Sequence, residues 1–171
     1  MHQQRHNRLW RRWLTRWLIR RLRTESVDMR TYILQALGKI GDESAIPVIL
    51  DAAGDSNSTI RRFAVSALGD LGDARATDAL IATLDDTEAD IRVAAVMGLG
   101  ESGDRRANDA LMALLDDKDS AVRTQAVIAL GHLGSDQALP LLNQMMNVES
   151  NEWVRRYISQ AIREIEGGCC L

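Results

Sequence analysis

Covalent and aromatic reinforcement is scarce in this chain of 171 residues. The two cysteines are adjacent, Cys169 and Cys170, so they cannot build a disulfide framework and do not report a redox compartment. Cys169 is third from the end, which excludes a prenylation box. Aromatic residues make up 4%, with a single phenylalanine, whereas hydrophobic residues make up 46%. That balance, dominated by Ala and Leu, suits thin helices packed closely rather than a bulky core. No apolar run approaches the ~18 residues of a membrane-spanning helix. Arginines interrupt every apolar stretch near the N-terminus, unlike a secretory signal. Acidic residues are absent before Glu25. The net charge of -3 therefore divides into +8 on residues 1–24 and -11 on residues 25–171. An acidic body disfavours a phosphate backbone, so nucleic acid is not an expected partner, while the basic arm suits an acidic partner or anionic lipid. A soluble cytoplasmic body with no cofactor is expected.

What the chain does have is a period of 31 residues. Arg61 follows Ile60, Arg92 follows Ile91 and Arg123 follows Val122. The same frame catches Arg30 after Met29 and, with one inserted residue, Arg155 after Val154. Leu37-Gly38, Leu68-Gly69, Leu99-Gly100 and Leu130-Gly131 stand seven residues behind the first four arginines, and Gly41, Gly72, Gly103 and Gly134 follow three residues later. Ile91, Ala94, Ala95, Gly98 and Leu99 have the spacing of one buried helical stripe. The later glycine suits a left-handed helix end, and a second helix follows with Ala76, Ala79, Leu80 and Leu84 on its face. Pro47 and Pro140 sit near the start of such second helices, where proline is tolerated. Each unit is thus a helical hairpin, and an array of hairpins stacks into a solenoid that works as a binding surface.

This series resembles the HEAT-like repeats first described in phycobilisome lyases, over about residues 27–166. Asp73 and Asp104 follow their glycines as in that family. An acidic residue also stands six positions before an arginine in four frames: Asp55 with Arg61, Asp86 with Arg92, Asp117 with Arg123 and Glu149 with Arg155. The resemblance implies that such pairs support contacts between neighbouring repeats. Thr24 breaks the series before Arg30, so the first junction is expected to be held differently. The predicted fold is all-α, a right-handed α-solenoid of HEAT-like helical hairpins. Residues 1–26 form an N-terminal capping half-repeat, residues 27–166 the array with a C-terminal capping helix, and residues 167–171 a flexible tail.

The period also dissolves several apparent motifs. Gly98, Gly100 and Gly103 spell the dinucleotide fingerprint G-x-G-x-x-G, but that motif opens a helix after a strand, and here a helix is ending. His132 falls where other units have Lys39, Asp70 and Glu101, a solvent-facing slot. Asp85-Asp86 and Asp116-Asp117 recur at equivalent helix ends, which favours an acidic rim over a catalytic or metal-binding pair. HEAT-type deoxyhypusine hydroxylases bind iron through His-Glu pairs, and no His-Glu dipeptide occurs in this chain.

Residues 9–23 carry the sharpest functional signal, within a stretch, residues 8–24, that reads as a capping half-repeat. Leu14, Leu18 and Leu22 form one stripe, Trp10, Trp13 and Trp17 the adjoining one, and Arg12 and Arg16 lie opposite among further arginines. Two periods separate Leu14, Trp17, Leu18 and Leu22 from Ala76, Ala79, Leu80 and Leu84, so the arm is in register as a second helix capping the array. Trp10 and Trp13 are not absorbed by that role. They mark docking to an anionic membrane surface or to a partner, together with Trp17, Arg12 and Arg16. At the other end Val154, Tyr157, Ile158, Ala161, Ile162 and Ile165 form a capping first-type helix. The expected function is non-catalytic protein interaction along a concave face, with Thr77, Asp78, Asp85, Asn108, Asp109 and Asp116 offering polar contacts. The alternative carried by the family resemblance is a bilin lyase subunit or phycobiliprotein maturation factor.

Overall fold

The computed structural model describes residues 2–72 and 74–167, with side chains from Trp10 onward except Ala74. Regular structure among the described residues is helical throughout. The order is α1 (His2–Leu22), α2 (Val27–Ile40), α3 (Ile46–Ala53), α4 (Ser58–Leu71), α5 (Ala74–Thr83), α6 (Ala89–Ser102), α7 (Asn108–Ala113), α8 (Ser120–Leu133), α9 (Leu139–Val148) and α10 (Glu152–Gly167). The first-type helices stack in series, α2 on α4, α4 on α6, α6 on α8 and α8 on α10. Each second-type helix packs on the first-type helix that follows it, and α1 packs on α2 in the same way. This is an α-solenoid. Gly167 belongs to α10 rather than to a tail, and Cys169 and Cys170 lie outside the described residues.

Local chemistry fixes the ends of each hairpin. Gly41, Gly72, Gly103 and Gly134 have φ of 64°, 59°, 67° and 59°, the left-handed conformation that closes a helix without a Cβ penalty. The side chains of Asn57 and Asp119 accept hydrogen bonds from the backbone N–H groups of Thr59 and Ala121, opening α4 and α8. Asp42 and Asp104 accept from Ser44 N–H and Arg106 N–H, turning the chain into the second helices. Pro47 and Pro140 occupy the first turn of α3 and α9, where no intrahelical N–H bond is lost.

The expected stripe is buried, with Ile60, Ala64, Ala67 and Leu68 repeated by Ile91, Ala95, Gly98 and Leu99. A second stripe is buried as well: Leu34, Val65, Val96 and Val127 are all fully enclosed. The reason is geometric, because a first-type helix in mid-array has a neighbour on both sides and so hides more than one face. Each enclosed side chain of this size contributes roughly 1.5–3 kcal/mol. The helix axes approach through small residues. A methyl group on Gly69 would stand 2.9 Å from the Gly98 Cα, and one on Gly38 would stand 2.9 Å from the Ala67 Cα. Gly100 meets Ala129 and Gly131 meets Ala161 at the next two seams. Gly98 and Gly100 are therefore packing positions and Gly103 is a helix end, which accounts for the whole dinucleotide-like string.

A charged ladder joins the loops. Arg61 donates through Nε and Nη2 to both carboxylate oxygens of Asp86, 2.8 and 3.1 Å away, and through Nη1 to the Asp55 carbonyl at 3.0 Å. Arg92 repeats this with Asp117 at 2.9 and 2.8 Å and with the Asp86 carbonyl. Arg123 repeats it with Glu149 at 2.9 and 3.2 Å and with the Asp117 carbonyl. Arg30 makes a single bond to Asp55, 2.6 Å long. The register differs from the one expected. Each carboxylate pairs with the arginine of the preceding unit, and Arg61, Arg92 and Arg123, six residues behind Asp55, Asp86 and Asp117, reach only the backbone carbonyls of those residues. One guanidinium thereby ties two successive loops together. Glu149 supplies an extra methylene where the loop holds one inserted residue, and both bonds survive.

The first junction lacks this rung, as the break at Thr24 implies. There, the Arg11 guanidinium donates to the Ile40 carbonyl at the end of α2, and Thr15 is fully buried. Thr15 occupies the frame position of Ile46, Thr77, Asn108 and Leu139, near the start of the other second helices. Helix α1 begins well ahead of them, and Trp10 lies on the extension, whereas Trp13 shares the frame position of Arg75 inside α5.

Candidate interaction surfaces

Second helices place their polar residues in two different environments. Asp78 and Asp109 are exposed on α5 and α7, and Asp85 and Asp116 are exposed at the ends of those helices. Asp78 pairs with Arg106 at 3.0 Å, so part of its charge is already committed. Asp85 sits with Leu50, Ala53, Ala79, Ala82 and Thr83 around an open groove of about 360 Å³ between α3 and α5. Thr77 and Asn108 do not join this surface. Thr77 is 1% exposed, and its hydroxyl has no hydrogen-bond partner among the described residues. Asn108, one period later, is half-buried with an enclosed Oδ1 that has no partner among the described residues. Thr77 and Asn108 share a frame position with the buried Ile46, which sets them back from the exposed carboxylates.

The carboxylates behind the groove have environments distinct from those on its rim. Asp86 is held below the usual carboxylate range by Arg61 and by the Glu88 N–H, against the opposing effect of burial. Asp117 feels burial most strongly, yet Arg92 and the Asp119 N–H outweigh it and keep the group low. Arg123 likewise lowers Glu149. At Asp104 the Arg106 guanidinium and N–H bring the pKa to about 2. In each acid pair the second member is thus bound into the ladder and the first, Asp85 or Asp116, faces solvent. His132 is exposed, as its slot requires.

The two stripes of α1 separate cleanly. Leu18 and Leu22 are buried in the core and Leu14 packs against it, whereas Trp10, Trp13 and Trp17 are 52%, 67% and 46% exposed. Arg21 lies over the Trp17 ring, 5.5 Å from its centroid, and pairs with Glu25. Arg12 and Arg16 are exposed, and Arg12 lines an open groove with Arg11, Asp42 and Glu43. The sequence-predicted docking residues are thus all exposed on α1, distinct from the buried Leu18 and Leu22. No helix among the described residues is long and apolar enough to cross a membrane.

A third surface was not anticipated. At the far end, Met146 of α9 and Glu152, Trp153, Arg155, Arg156 and Ser159 of α10 line an open groove of about 480 Å³, with Trp153 68% exposed. Its signal was present in the period. Ser159 stands where Leu34, Val65, Val96 and Val127 are enclosed, and Arg163 stands where Gly38, Gly69, Gly100 and Gly131 allow close approach.

These features define an α-solenoid of stacked helical hairpins, joined by an arginine–carboxylate ladder and presenting open surfaces. The sequence matches the HEAT repeats family over residues 15–92 and 77–163, and the chain belongs to that family. Among solved structures, the complex of CpcE and CpcF of phycocyanin lyase from Nostoc sp. PCC7120 is similar at 24% identity and a TM-score of 0.79, covering 90% of this chain and 65% of that one. The chain thus spans just under two thirds of that neighbour. A designed armadillo repeat protein in complex with the peptide (KR)4 is similar at 20% identity and a TM-score of 0.68, covering 86% and 80%. The archaeal HEAT-like repeats protein from Thermococcus onnurineus NA1 follows the fold at 17% identity and a TM-score of 0.51, covering 92% and 82%. No curated protein sequence matches the chain.

Proposed function

We propose that this protein is a non-catalytic scaffold that holds a basic segment of a partner protein against its second-helix face. The observation carrying this reading is the groove between α3 and α5, floored by Leu50, Ala53, Ala79 and Ala82 and rimmed by the solvent-facing Asp85. Asp109 and Asp116 continue the negative rim into the next unit. Small side chains leave room for a backbone to lie close, and unpaired carboxylates select lysine and arginine. The designed armadillo protein bound to (KR)4 supports the reading, since a similar stack of helices there accompanies a basic peptide. Fluorescence anisotropy with labelled (KR)4 peptide tests it. Binding is expected to weaken about tenfold when Asp85, Asp109 and Asp116 are all changed to Asn, as the loss of charge-assisted bonds requires. Unchanged affinity would refute the reading.

The exposed tryptophans and arginines of α1 act in this proposal as a second docking point, on an anionic membrane surface or on a larger complex. Trp10→Ala with Trp13→Ala leaves the core stripe intact and is expected to abolish binding to anionic liposomes or to a native partner. If both bindings are unchanged, α1 serves the fold alone. The likeness to phycocyanin lyase supports a second reading, a bilin lyase subunit or phycobiliprotein maturation factor. Incubation with bilin and apo-phycobiliprotein separates the two, because a scaffold produces no covalent pigment adduct.

A further inference from the structure

The ladder makes a statement about its own last rung. Val154 is buried like Ile60, Ile91 and Val122, and α10 packs on α8 as each first-type helix packs on its predecessor, so Arg155 occupies the ladder position. Arg30, Arg61, Arg92 and Arg123 each hold a carboxylate contributed by the following loop. Arg155 is exposed and forms no ion pair among the described residues. Arg156 is exposed beside it, and Trp153 and Met146 form the apolar side of the same groove. Glu152 is the one carboxylate in the lining, against two guanidinium groups. The outer face of α10 is nevertheless not built to receive another repeat. Ser159 and Arg163 replace the enclosed aliphatic and the close-approach glycine of every earlier seam, and an arginine at the glycine position blocks a helix at the same spacing.

We propose that this end of the molecule binds an acidic peptide segment of another protein, with carboxylates on Arg155 and Arg156 and an apolar side chain on Trp153 and Met146. The internal rungs are the template: Asp86, Asp117 and Glu149 show which group this arginine position accepts, and in what bidentate geometry. The basic arm of a second copy carries +8 and is repelled from this patch. The site is separate from the second-helix groove and of opposite charge.

The test uses the full chain and a fluorescein-labelled peptide copying residues 107–122, which joins Asp116, Asp117 and Asp119 to an apolar stretch. Arg155→Ser with Arg156→Ser is expected to weaken peptide binding about tenfold, the scale of losing one or two charge-assisted bonds. Added salt is expected to weaken the wild-type interaction, and Lys39→Ser with Arg62→Ser, two exposed cations outside every proposed surface, to leave it unchanged. Both substituted pairs are exposed, so equal melting temperatures confirm that the fold is kept. The proposal is overturned if the wild type does not bind the peptide, if Arg155 and Arg156 prove dispensable, or if the Lys39 and Arg62 variant loses binding to the same extent. Self-association in sedimentation that disappears with Arg155→Ser and Arg156→Ser would also overturn it, by making a second copy the occupant.

Discussion

Arg92 and Asp117 are the most enclosed of the ladder pairs, with side chains 5% and 9% exposed, whereas Arg30 and Asp55 are 25% and 19% exposed. Removing Arg92 leaves a carboxylate enclosed and two backbone carbonyls short of a donor. Arg92→Ala is expected to lower stability by about 3 kcal/mol or more and Arg30→Ala by about 1 kcal/mol, read from urea unfolding. Equal losses would mean that burial does not set the worth of a rung. The same carboxylates fix a pH dependence. Asp55, Asp86, Asp117 and Glu149 are all lowered in the folded chain, so the unfolded chain binds more protons in acid. Their contribution is fully present above about pH 5 and is lost as pH falls through the folded values, below roughly pH 4. The melting temperature is expected to be flat near neutrality and to drop in that acid window, with a shallower drop for Arg92→Ala. Only part of this was readable in the sequence. The six-residue spacing correctly singled out acids and arginines, but it could not show that the side-chain partner is the next acid along, about 25 residues away, because that depends on how one hairpin stacks on another.

Helices α4 and α6 meet where Gly69 faces Gly98 with no room for a methyl group against the opposing backbone. Alanine ordinarily stabilises a helix by about 1 kcal/mol over glycine. At this seam the steric cost dominates, and Gly69→Ala is expected to destabilise by about 1–3 kcal/mol in thermal or denaturant unfolding. Gly54→Ala, with ordinary space and negative φ, is expected to change stability by less than about 0.5 kcal/mol. A Gly69→Ala variant as stable as wild type would show that the seam is looser than described. At this level the 31-residue period was a reliable guide to the hairpins, because small residues, glycine ends and proline starts are local signals. It missed the stripe of Leu34, Val65, Val96 and Val127 for a non-local reason: a single amphipathic face describes a helix with one neighbour, and these helices have two. The same omission hid the groove of Trp153, Arg155 and Arg156, since Ser159 and Arg163 stand out only after the buried valines and seam glycines are recognised.

Across the whole molecule, charge is distributed by position along the solenoid. An arm of +8 lies at one end, acidic residues rim the second helices, and two arginines with a tryptophan lie at the other end. The ladder neutralises the acids that stabilise the stack and leaves those on the rim available. That division explains why the candidate surface was half legible. Asp85, Asp109 and Asp116 stand at solvent, whereas Thr77 and Asn108, polar by sequence, share a frame position with buried Ile46 and Thr15. Binding a basic segment along the second helices is the central claim, and amide chemical-shift mapping tests it most directly. Titration of the isotopically labelled full chain with (KR)4 peptide is expected to move the amides of residues 50–54, 78–86 and 109–116. Shifts confined to α1 or to the outer face of α10, or no shifts at all, would contradict it.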